Sequence, residues 1–107
     1  MSLDFMLTRV QPTCVFSRNI THNLNKMAAA AGIYDCLWRP DENNITKASH
    51  MIAPLAEGLA DLLANPAKYK KYNPENGWGN YDGLVAYAKE VLAACIENPD
   101  ADVEVSR

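Results

Sequence analysis

The sequence predicts an α+β fold, in which three main helices and one short helix pack on a small antiparallel sheet formed by the N- and C-terminal strands. Three observations lead to this prediction. Apolar and polar residues alternate at both ends of the chain, as they do in half-buried strands. The middle of the chain repeats apolar residues at helical spacing. Prolines, glycines and asparagines separate the helical stretches from one another.

The two terminal strands are predicted from short alternating patterns. Leu3, Phe5 and Leu7 alternate with other residues near the N-terminus, and Val103 and Val105 alternate with acidic residues and a serine near the C-terminus. A two-stranded ribbon needs a layer packed on its face, so we expect the helices to cover a sheet in which these strands pair. The pattern leaves open whether residues 13–16 supply a third strand.

The first helix is predicted to begin at Asn19 or Thr21, both good N-cap residues, and to run to about Leu37. Gly32 weakens its interior slightly, and Pro40 closes the segment because a proline pushes the preceding residue out of the helical region. The buried stripe at helical spacing comprises Leu24, Met27, Ala28, Ala31, Tyr34 and Leu37.

The second helix is predicted to have Thr46 as its N-cap, and it contains Pro54. Proline removes one backbone donor and clashes with the preceding turn. The helix therefore either kinks at Pro54 or ends at about Ile52, with a new helix starting at the proline. A kink is the preferred interpretation.

The remaining helices follow from their boundary residues. Asn65-Pro66 opens a short helical turn through Tyr72, with proline in its preferred first position. Asn80 or Asp82 caps the last helix, and Asn98-Pro99 stops it. With no repeat or linker, the 107 residues form a single domain, 1–107.

Composition excludes several classes of function. A formal charge of −3 argues against direct nucleic-acid binding, and the one basic cluster, residues 68–72 with its two interleaved tyrosines, is interpreted as a solvated helical surface. The apolar windows are too short to span a membrane, and we expect a soluble cytoplasmic protein. The three cysteines fit a reducing compartment, with Cys36 and Cys95 as small core residues. No spacing of ligands predicts a metal or another cofactor.

Two polar segments are candidates for a binding site. The first contains Asn19, Thr21, His22 and Asn23 at the start of the first helix, where the helix dipole favours a neutral imidazole. The second is the glycine-rich loop of residues 73–83. Its candidate binding residues are Asn73, Asn76 and Trp78. The competing interpretation is that all these side chains only cap and lock helix starts.

A third candidate is the pair Trp38 and Arg39, because tryptophan and arginine dominate interface energetics. The alternative is that Trp38 closes the core while Arg39 pairs with an acidic neighbour. Burial is the preferred interpretation for Trp38 and also for Trp78, because the chain has few aromatic residues to fill its core.

The two polar segments, together with Leu37-Trp38-Arg39-Pro40, carry a resemblance. The Asn-x-Thr-His-Asn cluster and the Asn-Gly-Trp-Gly loop resemble those of a family of small uncharacterised proteins from bacteria and their phages. The resemblance covers most of the chain and brings no known activity, ligand or catalytic residue. It implies that the two polar segments belong together, on one surface.

These observations lead to two hypotheses about function. The first is a small non-enzymatic binding protein, phage- or prophage-associated, that acts on a protein partner in the bacterial cytoplasm. The second is a small enzyme or a domain that binds a small polar ligand, with His22 as a base and neighbouring amides as donors.

Overall fold

The protein is an α+β domain whose helices cover one face of a three-stranded antiparallel sheet. The computed structural model describes residues 2–9, 13–75, 77 and 79–107. The strands are β1 (Ser2–Arg9), β2 (Thr13–Thr21) and β3 (Asp102–Ser106), in the order β2-β1-β3. The predicted class and the antiparallel pairing of the two terminal strands are confirmed.

The central strand β1 supplies the floor of the core. Its side chains alternate, and Leu3, Phe5 and Leu7 are fully buried beneath the helices. On β3, Val103 and Val105 pair with β1 on the same face and are half-buried. The third strand, left open by the sequence, is β2, which pairs antiparallel with β1 with a register shift between Leu7 and Thr8.

Asn19 lies in β2 and is not the cap of a helix, which corrects one of the two predicted N-caps. It pairs with Asp4 on β1, on the sheet face opposite the helices. Its amide nitrogen donates to Asp4 Oδ1 and to Ser2 Oγ, both at 2.7 Å. An amide that bridges two neighbouring strands in this way stabilises the pairing of β1 with β2.

The predicted continuous first helix is wrong, because the segment breaks at Gly32. A 3₁₀ turn (His22–Leu24) leads into α1 (Asn25–Ala30), and α2 (Tyr34–Trp38) follows. Gly32 has a φ of +80°, its amide donates to the carbonyl of Ala29, and the amide of Ile33 donates to that of Ala28. This is the Schellman arrangement, in which a residue of positive φ ends a helix.

The longest helices are α3 (Ala48–Ala64) and α5 (Tyr81–Glu97), each of 17 residues. Pro54 lies inside α3, and the helix does not split there. Lys47 is the N-cap of α3, so the prediction of Thr46 is wrong by one residue. His50 Nδ1 accepts hydrogen bonds from the amides of both Thr46 and Lys47.

The short helix α4 (Pro66–Lys70) begins at its proline, as predicted, and buries Tyr69. Asn80 caps α5, since its Oδ1 accepts from the amide of Gly83 at 2.8 Å. A second 3₁₀ turn, Pro40–Glu42, connects α2 with the segment before α3. Cys36 and Cys95 are core residues, as predicted. No helix of the described residues is both long and apolar enough to cross a bilayer.

Candidate functional site

The first wall of the candidate site is the turn that leads from β2 into α1. Thr21 has extended backbone angles, and its Oγ1 accepts a hydrogen bond from the amide of Asn23 at 3.3 Å. Thr21 is therefore the N-cap that the sequence predicts. The cap directs His22 and Asn23 to the surface, while Leu24 enters the core.

His22 is held in place from behind by Trp38. The indole Nε1 donates a 2.9 Å hydrogen bond to His22 Nδ1, and the Trp38 ring stacks on Tyr34 with centroids 5.6 Å apart. Trp38 is only 2% exposed, so this bond fixes the half-buried imidazole against the core. A nitrogen that accepts from an indole carries no proton, so the neutral ring has its proton on Nε2.

The second wall is the segment that follows α4, residues 71–75. Asn73 anchors it, because Asn73 Oδ1 accepts from the amide of Tyr81 at 2.8 Å. Tyr81 is the first residue of α5, where the amides have no partner within the helix. Asn73 and Asn80 thus both cap α5. The hydrogen bond that the side-chain oxygen of Asn73 accepts attaches the second wall to this helix.

The structure brings the two predicted polar segments together. The backbone at Gly79 lies against the first wall, because a β-carbon there would be 2.7 Å from Thr21 Cγ2 and 3.0 Å from Leu24 Cγ. Between the walls is a groove of about 550 Å³, which we call the His22 groove. It is lined by His22, Asn23, Asn25, Lys26, Lys71, Tyr72, Asn73, Pro74 and Glu75.

The remaining predicted site residues lie elsewhere. Asn19 is on the outer face of the sheet. Trp38 lies behind His22. Arg39 Nε donates a hydrogen bond to Tyr34 Oη at 3.3 Å, and Arg39 Nη1 forms a salt bridge with Glu42 Oε2 at 3.1 Å. Burial of Trp38 and pairing of Arg39 with an acidic neighbour are therefore confirmed. Asn76 and Trp78 lie outside the described residues.

The groove also contains residues that the sequence does not predict as site members. Asn25 and Lys26 lie on the exposed side of α1, and Lys71 and Tyr72 follow α4. The sequence signal for the last two is the basic, tyrosine-containing cluster, which alone favours a solvated surface. Only the approach of α1 to this segment makes them part of a groove.

The groove is rich in hydrogen-bond donors and carries two cations against one carboxylate. Lys26 and Lys71 supply the cations and Glu75 the carboxylate. Among the described residues, no salt bridge involves any of the three. Their charges are therefore available to a ligand, and the excess of positive charge favours an anionic one.

The buried cysteines do not supply a nucleophile to this site. Burial raises the pKa of Cys36 to about 12 and that of Cys95 to about 11, so both thiols stay protonated at neutral pH. Cys14 is exposed on β2, and its Sγ lies 3.2 Å from the carbonyl oxygen of Phe16. Over the residues that the structure describes, no three His, Cys, Asp or Glu side chains gather as metal ligands would.

In comparisons with protein-family models, with curated proteins and with solved structures, the chain has no significant match. The resemblance to small bacterial and phage proteins therefore stays a prediction.

Proposed function

We propose that this chain is a small non-enzymatic binding protein, and that the His22 groove binds a carboxylate-bearing segment of a partner protein. The resemblance to small bacterial and phage proteins supports a phage- or prophage-associated role in the bacterial cytoplasm. The hydrogen-bond donors and the charges of the His22 groove support a carboxylate as the ligand.

The hydrogen bond from Trp38 Nε1 to His22 Nδ1 carries the proposal. It leaves Nε2–H as the group of the neutral ring that has no partner among the described residues, and this group is suited to donate to a ligand. A general base would need an unprotonated nitrogen in the groove. The alternative of a small enzyme with His22 as its base is therefore less well supported than binding.

The charges of the groove support an acidic ligand. Lys26 and Lys71 lie on opposite walls of the groove, and Glu75 belongs to the same wall as Lys71. A carboxylate placed between the lysines gains charge-assisted hydrogen bonds, which are stronger than neutral ones. Tyr72, 42% exposed, offers an aromatic surface next to them, and tyrosine is enriched in protein interfaces.

The proposal is tested by partner capture with charge-reversal variants. Partners are captured from bacterial lysate with the tagged wild-type protein and with its tagged variants Lys26→Glu and Lys71→Glu. Quantitative mass spectrometry measures the amount of each partner recovered. Lys89→Glu, an exposed site on α5 that does not line the groove, is the matched control. For a partner that the wild type and Lys89→Glu both capture, we expect the amount recovered to fall at least about tenfold in each groove variant. A repulsive charge weakens binding more than the loss of a contact does.

Two further results complete this test. Thermal unfolding checks that all three variants are folded. Amide chemical shifts of the wild type titrated with the captured partner are expected to change along residues 22–26 and 71–75. Equal recovery of every partner by all the variants would remove the His22 groove from consideration. Capture of a small polar metabolite in place of a protein would favour the alternative of a ligand-binding domain.

A further inference from the structure

The outer edge of β3 has backbone groups that no other part of the described chain uses. The amide of Val103 donates to the carbonyl of Thr46 at 2.9 Å, so Val103 turns its backbone away from β1. Backbone direction alternates along a strand, and Val105 therefore presents its N–H and C=O to the same outer edge. Among the hydrogen bonds of the described residues, none outside the sheet joins Val105.

A groove lies along this edge, and we call it the β3-edge groove. Its volume is about 680 Å³, and it separates β3 from the segment of residues 40–46. Pro40 and Ile45 form one apolar wall, and Val103 and Val105 form the other. The groove is therefore a strand edge with an apolar channel beside it.

Both ends of the β3-edge groove are held by contacts. At one end the backbone of Thr46 bonds to Val103. At the other end the guanidinium of Arg107 donates to the carbonyl of Trp38 at 2.9 Å and to both carboxylate oxygens of Asp41. These hydrogen bonds lower the pKa of Asp41 from its ordinary value. The open stretch between the two ends is centred on Val105.

The charges around this groove are mostly negative. Asp41, Asp102 and Glu104 line it, against the single cation Arg107. Arg107 pairs with Asp41, and Lys47 pairs with Asp102. Among the described residues, no salt bridge involves Glu104, so its exposed carboxylate has its charge available to a partner.

We infer that the β3-edge groove binds an extended, basic peptide segment of another protein by strand addition. One residue of the segment pairs with the N–H and C=O of Val105, and its apolar side chains contact Ile45 and Pro40. A neighbouring lysine or arginine, which points to the opposite face of the sheet, lies beside Glu104. Main-chain pairing then supplies affinity, and alternate side chains supply selectivity, as in other complexes of this type.

This inference is independent of the His22 groove, and it is tested with a defined probe. The probe is an acetylated and amidated hexapeptide of alternating valine and lysine, titrated into isotope-labelled protein. A hexapeptide of alternating valine and glutamate is the charge-reversed control. Saturable amide shifts are expected at residues 45 and 103–105 with the lysine peptide only.

Two variants separate the backbone contact from the charge contact. Val105→Pro removes the outward N–H without removing a hydrogen bond to β1, because edge strands accept proline where the amide faces out. It is expected to weaken binding at least about tenfold. Glu104→Gln retains all backbone groups, and about threefold weaker binding is expected. Glu57→Gln, at an exposed position on α3, should bind as the wild type does.

The outcomes are distinct. Lysine-peptide binding that weakens in both variants supports the inference, and Glu104→Gln still tests it if Val105→Pro does not fold. Absence of saturable binding, equal binding of the two peptides, or shifts confined to other residues would overturn it. Sedimentation velocity provides one more check. Self-association that Val105→Pro abolishes would make a second copy of this chain the occupant, which also contradicts the inference.

Discussion

Trp38 Nε1 and His22 Nδ1 are joined by a 2.9 Å hydrogen bond that links the core of the protein to the surface of its candidate site. The two residues lie 16 positions apart, and the break at Gly32 allows the chain to fold back between them. The buried indole donor is satisfied by a ring that lines the His22 groove. Stability and the orientation of His22 are therefore coupled.

The first prediction concerns the energy of this bond. His22→Ala leaves the indole N–H of Trp38 without its partner, and we expect a loss of about 1–3 kcal/mol in the free energy of unfolding. Trp38→Phe costs more, because it also removes buried ring volume. In the double variant His22→Ala/Trp38→Phe, the two losses should fall short of additivity by about 1 kcal/mol. Urea denaturation measures all four proteins, and additive losses would show that the bond contributes nothing.

The second prediction concerns the contact between the two walls of the site. Gly77 and Gly79 have φ values of +76° and +94°, so alanine at either position is strained by about 1–2 kcal/mol. Only at Gly79 would the new methyl group collide with Thr21 and Leu24. We expect Gly79→Ala to destabilise the protein by about 1–3 kcal/mol more than Gly77→Ala does. Equal losses in thermal unfolding would mean that the walls are farther apart than the structure places them.

Much of the fold could be predicted from residue patterns, and the failures have physical causes. Leu3, Phe5 and Leu7 identify β1 because all three core-facing positions are apolar. On β2, the residues opposite them include Arg18, which interrupts the alternation. Its guanidinium lies 5.4 Å from the ring centroid of Phe16 and pairs with Glu90, so a charged residue occupies a position that faces the helices.

The candidate site was only partly predictable for a related reason. The helical spacing of apolar residues continues through Gly32, because α1 and α2 pack on the same core. This spacing therefore predicts a single helix. The positive φ of Gly32 cannot be read from spacing, and the His22–Trp38 contact depends on it. Conversely, the caps Thr21 and Asn80 are local interactions, and residue type identifies them.

The third prediction concerns Gly58, in the middle of α3. A β-carbon there would lie 2.1 Å from Cγ2 of Ile33 and 2.8 Å from the carbonyl oxygen of Ala31. Alanine in a helix interior ordinarily stabilises by about 1 kcal/mol over glycine. Here we expect Gly58→Ala to destabilise by about 2 kcal/mol or more, because the neighbouring backbone cannot move away freely. A rise in melting temperature would contradict the close packing of α3 on the turn after α1.

The fourth prediction concerns Tyr87 in α5. Its hydroxyl is buried, and it has no hydrogen-bond partner in the described part of the chain. Burial also raises its pKa from the ordinary value, followed by a smaller effect of Asp4. Since an unsatisfied buried hydroxyl costs about 1–3 kcal/mol, Tyr87→Phe should leave stability unchanged or raise it by about 1 kcal/mol. A clear loss in denaturant midpoint would indicate that the hydroxyl has a bound water as its partner.

The fifth prediction is a loss of stability at alkaline pH. Burial raises the pKa of Cys36 to about 12 and of Cys95 to about 11, whereas a thiol in the unfolded chain keeps its ordinary value of 9.0. Above pH 9 the unfolded state therefore binds fewer protons than the folded state. Both thiols therefore contribute fully to the free energy of unfolding below pH 9. This contribution is lost as the pH rises through the pKa values that the thiols have in the folded protein.

Between the pKa values of the unfolded and the folded state, the free energy of unfolding should fall by up to about 1.4 kcal/mol per pH unit for each thiol. Urea denaturation from pH 8 to 10.5 measures it, and Cys36→Ala/Cys95→Ala should flatten the curve. Cys14→Ala, which changes an exposed thiol, should retain the wild-type slope. Any slope left in the double variant above pH 10 is expected to come from Tyr69 and Tyr87, because burial raises the pKa of both phenols, that of Tyr69 to about 12 with a further effect of its hydrogen bond to Asp61. A wild-type curve that is already flat from pH 9 to 10.5 would show that water reaches the thiols.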